Sequence, residues 1–327
     1  MTELLKKIFE HDRKALAKAI TLVESTLSKH KKEANNLIQE LLKKNNRESI
    51  RIALSGTPGA GKSTFIEALG SKLIEDGNKV AVLAIDPTSN KTGGSILGDK
   101  TRMEKLSRQP NAFIRPSPSS LNLGGVTAKT REVIHLCEAS GYNIIIVETV
   151  GVGQSEMAAF NMTDIFCLLI TPDSGDELQG LKKGIIESAD LIIVNKADGK
   201  LKKSASLAVA EYTSALRLLG KKKGVPENYP KATMTSSITG NGIIEIKDEI
   251  FNFINLQKKL GFFVKKRNQQ KVQWLKEKID LEIYDFIAKR NNFTDVKNEL
   301  QKKVENEEIS VPEAISYFAN ILKKNSK

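Results

Sequence analysis

Residues 56–64 read Gly56, Thr57, Pro58, Gly59, Ala60, Gly61, Lys62, Ser63 and Thr64, directly after an apolar run at 52–55. The pattern G-x-x-x-x-G-K-[ST] between a strand and a helix is the phosphate loop of nucleotide-binding proteins. A glycine-rich turn bares successive backbone N–H groups and so makes a nest for phosphate oxygens. Lys62 adds a point charge toward the β- and γ-phosphates, and Ser63 offers a hydroxyl to Mg²⁺. A helix beginning here aims the positive end of its dipole at the same oxygens. These residues imply a nucleoside phosphate as ligand.

A second group reads the base. The apolar run 191–194 ends in Asn195, Lys196, Ala197 and Asp198, an N-K-x-D element. A carboxylate such as Asp198 accepts two parallel hydrogen bonds from guanine N1–H and the amino group, a donor pair that adenine lacks. A site built around such bonds rejects a base that leaves them unmade. Lys196 can lay its stem over the ring, and Asn195 can brace the loop. Further on, Thr235, Ser236 and Ser237 stand where a serine-containing loop would support the base, or form a plain Ser/Gly loop after a strand. GTP and GDP are therefore the expected ligands.

Acids fall between these two groups. Asp86 and Glu148 each close an apolar run, and Asp99 lies in a glycine-containing stretch. With Ser63 they form an expected Mg²⁺ set, since Mg²⁺ takes one or two carboxylates and keeps several waters. Asp86 and Glu148 also suit helix caps or loop carboxylates. For hydrolysis, a protein must position water and neutralise charge on the γ-phosphoryl group. Lys62, Glu148, the Gly151 amide and Gln154 are the candidates. Gln154 serves equally as a helix-start residue, and no arginine in the chain stands out as a charge-neutralising finger.

These residues need a scaffold that gathers them. Apolar runs at 50–55, 80–86, 112–115, 143–148, 164–171, 191–195 and 232–236 read as strands. Helical patterns at 63–76, 127–139, 179–188, 204–220 and 243–257 separate most of them. Near-continuous apolar strands alternating with helices indicate a largely parallel sheet covered on both faces, with ligands at the carboxyl ends of the strands. The expected fold is α/β: a P-loop NTPase domain over 47–257, a helical extension over 1–46 and a helical segment over 258–327. In that last segment Leu275, Ile279, Ile283, Phe286 and Ile287 form an apolar stripe at helical spacing. It can pack on its own subunit or on a second copy.

Composition narrows the class. The 327 residues carry a net charge of +12. The excess lies in the flanks: ten basic against six acidic residues over 1–46, and sixteen against ten over 256–327. Both flanks interleave the two signs and lack a nucleic-acid motif, so solvated helical faces explain them and no nucleic-acid partner is expected. No apolar run reaches membrane-spanning length. The first ten residues mix charges without an apolar signal core, which makes the cytoplasm the expected location. Cys137 and Cys167 are isolated in apolar stretches, and His11, His30 and His135 are scattered, so neither residue type suggests a metal site.

In order along the chain, residues 13–25, 56–64, Asp86 to Ser89, 92–103, 148–156, 171–180, Asn195 to Asp198 and 265–274 resemble the MeaB/ArgK family of GTPases. The resemblance implies a cytosolic homodimeric GTPase with Mg²⁺ that chaperones an adenosylcobalamin-dependent acyl-CoA mutase, typically methylmalonyl-CoA mutase. It would gate cofactor loading and protect the mutase. The family's third switch matches 173–184 here, with Asp176 and Lys182 as partner-coupling residues, and the C-terminal helices would form the dimer interface. A nickel-insertion GTPase shares the general fold and is the alternative.

Overall fold

The computed structural model describes residues 2–25, 27–86, 103–118, 123–149, 155–172, 183–220, 224–288 and 293–324. Seven strands are present among them: β1 (Ile50–Gly56), β2 (Val80–Asp86), β3 (Ala112–Pro118), β4 (Ile144–Thr149), β5 (Ile165–Ile170), β6 (Leu191–Val194) and β7 (Lys231–Met234). They form one sheet in the order β3-β2-β4-β1-β5-β6-β7, and every neighbouring pair is parallel. Four of the five inner strands, β4, β1, β5 and β6, are buried almost throughout. That is why they read as unbroken apolar runs rather than as alternating ones. The edge strand β3 runs on to Pro118, past the expected end at Arg115. Pro116 and Pro118 lack a ladder donor, which an edge position tolerates.

Helices cover both faces. On one side α4 (Lys62–Glu75), α5 (Glu104–Ser107) and α10 (Ile243–Lys259) close a core with Ile52 and Leu54 of β1, Ile144 and Ile146 of β4, and Phe65, Phe253 and Ile250 of the helices. On the other lie α6 (Leu123–Ala139) and the short α7 (Ser155–Phe160), against β4 and β1. After α8 (Lys183–Ser188), α9 (Lys202–Leu219) packs along β6 and β7. The N-terminal segment forms three helices, α1 (Glu3–Phe9), α2 (Arg13–Glu24) and α3 (Ser28–Lys44), each packed on α6. Asp12 caps α2 by accepting from the Lys14 and Ala15 amides. Leu5, Ile8, Leu16, Ile20 and Leu41 of this segment are fully buried.

The amino ends of the strands carry a buried ionic cluster. Arg51 Nε and Nη2 donate to Glu138 at 2.7 and 2.8 Å, and the Ser49 hydroxyl donates to the same carboxylate. Arg267, in the first turns of α11 (Phe262–Ala288), forks onto Asp164 at 2.6 and 2.7 Å. Asp164 also accepts from the Arg51 amide at 2.7 Å. Gln270 donates to the Thr163 carbonyl at 2.7 Å.

The chain divides into two compact units, Met1–Val272 and Gln273–Lys327. In the second, α12 (Phe293–Glu305) and α13 (Val311–Lys324) pack together, with Phe293 edge-on to Tyr284 and to Phe318. Leu275, Ile279, Ile283 and Phe286 of the apolar stripe are exposed, and Ile287 is half-buried.

Candidate functional site

β1 ends at Gly56, pressed so close to β5 that a Cβ there would lie 2.1 Å from the Leu169 carbonyl oxygen. The chain then turns through Gly59 and Gly61, with φ of 81° and 84°, which an L side chain rarely adopts. Around Gly59 an added Cβ would meet nothing within 4 Å among the described residues, which leave the mouth of the turn open. Thr57 and Ala60 are buried at its base; Pro58, Gly59 and Thr64 are exposed, and Ser63 is half-buried. α4 starts at Lys62 with no side-chain cap and no acid in its first turn. Uncapped first-turn amides, a favourable dipole and an open glycine turn make an anion cradle.

Lys62 Nζ donates to the Gly56 and Thr57 carbonyl oxygens at 2.8 and 3.2 Å. Burial lowers its pKa, against the opposing pull of the Glu148 and Glu156 charges. Glu148 is buried in β4, in register with Leu54 of β1 and Ala84 of β2. Asp86 ends β2 by its backbone, two positions beyond Ala84. Glu156, fully buried in α7, is the residue that sequence reasoning passed over. An acid in the first turn of a helix ordinarily just favours the dipole. Only its burial within electrical reach of Lys62 sets it apart.

At the other end, β6 delivers Asn195 into the gap between two loops. Its Nδ2 donates to the Ala60 carbonyl of the phosphate loop at 2.8 Å. Its Oδ1 accepts from the amide and hydroxyl of Ser237, at 3.1 and 2.7 Å. Lys196 follows in the left-handed region, at φ 59°. The Ser236 hydroxyl donates to Asp198 Oδ2 and accepts from the Thr239 amide at 3.2 Å. Thr235 turns its hydroxyl to the Asn241 carbonyl, 2.8 Å away, while its main chain bonds Val194 and Ala197. One bond from Ser236 leaves Asp198 with further lone pairs to offer. The structure thus brings residues 56–64, Asn195, Lys196, Asp198 and Thr235 to Ser237 to one edge of the sheet. Asp99, Gly151, Gln154, Asp176 and Lys182 lie outside the described residues, as does the Asp86 side chain.

The histidines are engaged elsewhere. His11 Nδ1 lies 2.6 Å from the Ser140 carbonyl, His30 bonds Ser25, and His135 lies against Glu138. Both cysteine thiols are buried, which pushes their pKa values far above the usual range.

A family model described as methylmalonyl Co-A mutase-associated GTPase MeaB matches residues 16–292. The methylmalonic aciduria type A homolog of Mus musculus is 49% identical over 272 residues, covering 80% of this chain and 65% of that protein. GTPase ArgK of Escherichia coli is 43% identical over 293 residues, covering 90% and 88%. Among solved structures, a LAO/AO transport system kinase matches with a TM-score of 0.74 and 35% identity, over 98% of this chain and 97% of that one.

Proposed function

The chain belongs to the MeaB family of GTPases, and from that premise we propose that it binds and hydrolyses GTP with Mg²⁺ to serve an adenosylcobalamin-dependent acyl-CoA mutase. In this reading the amides of residues 56–64 hold the phosphates, and Lys62 exchanges its carbonyl partners for phosphoryl oxygens. The carboxylate of Asp198, held by Ser236, reads guanine, and the stem of Lys196 covers the ring. The observation that carries the proposal is the bond from Asn195 to Ala60, which fixes the base-reading loop against the phosphate cradle.

Ser63, Asp86, Asp99 and Glu148 would hold Mg²⁺, a set of hard oxygen donors that suits this ion. When bound, the ion neutralises phosphoryl charge and orients the leaving group. Gly151 and Gln154 are proposed to meet the γ-phosphate and the attacking water. Burial lowers the Lys62 pKa, and the charge of Glu156 joins that of Glu148 in opposing that shift.

The partner is proposed as a methylmalonyl-CoA mutase type of enzyme, with Asp176 and Lys182 coupling nucleotide state to it. A homodimer in the cytoplasm completes the proposal, with the exposed stripe Leu275, Ile279, Ile283 and Phe286 as its apolar interface. Among the described residues no helix is long and apolar enough to cross a membrane. The nickel-insertion alternative draws no support from two buried cysteines held as thiols. Phosphate release from GTP and from ATP, measured with and without a cobalamin-loaded mutase, tests the proposal. GTP-selective turnover that changes on adding the mutase is expected. A rate indifferent to the mutase, with no complex on gel filtration, would remove the chaperone role.

A further inference from the structure

Ser236 and Ser237 are adjacent, yet their hydroxyls serve different ends of the site. Ser236 donates to the Asp198 carboxylate. Ser237 donates at 2.7 Å to the Asn195 carboxamide, which reaches on to Ala60 in the phosphate loop. We propose that the Ser237 hydroxyl is a positioning residue that slows nucleotide release by locking Asn195 against the phosphate loop. The inference rests on the guanine-nucleotide reading above.

A primary amide can sit either way round, and only its bonds decide which end faces a carbonyl. Two donors on Oδ1, the amide and hydroxyl of Ser237, force the NH₂ group to face Ala60. The same Nδ2 lies 2.7 Å from where a Cβ on Gly61 would stand, so the seated carboxamide leaves no room for a side chain at that position of the loop. Asn195 is 2% exposed and Ser237 8%, which leaves little access for a water to replace a lost hydroxyl. Without that hydroxyl the carboxamide keeps a single donor on its oxygen. The loop that cradles the phosphates then loosens, whichever guanine nucleotide it holds.

The test uses the full-length protein with Mg²⁺ and fluorescent mant-GDP and mant-GTP, chased with excess unlabelled nucleotide. Ser237→Ala should raise both off-rates about three- to tenfold, the worth of one neutral hydrogen bond. Its preference for guanosine over inosine nucleotides should stay within about twofold of wild type, while Ser236→Ala, which frees Asp198, should lower it. Ser237→Thr, which keeps the hydroxyl, should release nucleotide at close to the wild-type rate. On an Asn195→Ala background, Ser237→Ala should add nothing, because the hydroxyl acts through that amide.

Unchanged off-rates in Ser237→Ala would overturn the proposal. So would equal acceleration by Ser237→Thr, which would assign the effect to packing, or full additivity with Asn195→Ala. Failure of the wild type to bind mant-GDP would instead sink the guanine-nucleotide reading, and this inference with it.

Discussion

The two ends of the sheet handle buried charge in opposite ways. At the amino ends, Glu138 and Asp164 meet Arg51 and Arg267 in short charge-assisted bonds. Burial alone would raise the Glu138 carboxyl. The charge of Arg51 and hydrogen bonds from His135 and Arg51 outweigh it and hold the group well below the usual carboxylate range. Arg267 is likewise penalised by burial, yet the Asp164 charge leaves its pKa raised. At the carboxyl ends, the Lys62 ammonium rests on two main-chain carbonyls, and burial wins, lowering its pKa. The amino-end charges are matched within the fold and serve stability. At the carboxyl ends a cation is held in waiting beside an open anion cradle, at a cost to its charged form that phosphate oxygens would relieve.

That contrast separates substitutions by what they should disturb. The largest effect is expected for Asp198→Asn. It should shift the preference between GTP and xanthosine triphosphate by about 10⁴-fold toward the latter, since a site built around a donor pair rejects its absence that strongly. Competition binding would read it, with melting temperature unchanged. Next, Glu138→Ala should lower unfolding free energy by about 3–5 kcal/mol, because it strands Arg51 in the interior. Urea denaturation measures this, and nucleotide affinity of the folded fraction should not move. A loss of affinity there would blur the division between the two ends. Lys62→Ala should reduce kcat/KM for GTP by about 10²–10³-fold, the scale of one preorganised electrostatic contact. Steady-state phosphate release reads it, and stability should hold.

The smallest effect is the share of the pH dependence of stability that the amino-end cluster contributes. Burial disfavours the charged form of His135 and outweighs its hydrogen bond to Glu138, so its folded pKa is lowered. Its contribution is therefore complete above about pH 6.5 and is lost as pH falls below that value. The Glu138 contribution, from a depressed carboxyl, is complete above about pH 4.3 and is lost on further acidification. Denaturation midpoints across pH 3–8 should fall in these two stages, and Glu138→Ala should flatten the second.

How much of this was legible follows from sequence distance. The parallel sheet announced itself in local runs such as Ile144 to Val147, because strands buried on both faces need apolar residues at every position. The phosphate turn was equally plain, since Gly59 and Gly61 stand where the backbone turns left-handed. The ionic cluster was not legible. Arg51 and Glu138 are 87 residues apart, and Arg267 and Asp164 are 103 apart, so nothing in the local pattern pairs them. Arg267 reads on its own as one more basic residue in a charged helical tail. Glu156 was missed for a similar reason, being a common residue type at a helix start whose burial only packing creates. Asn195 was expected to brace its own loop. Its reach to Ala60, 135 residues away, needed the strand order β1-β5-β6 to become visible.

Titration calorimetry of the purified chain with GDP and with ADP, each in Mg²⁺, tests most directly whether the carboxyl edge is a guanine-nucleotide site. One-to-one binding heat for GDP that Lys62→Ala abolishes, with none for ADP, is the predicted result. Absence of heat with GDP, or equal heat with ADP, would contradict the account.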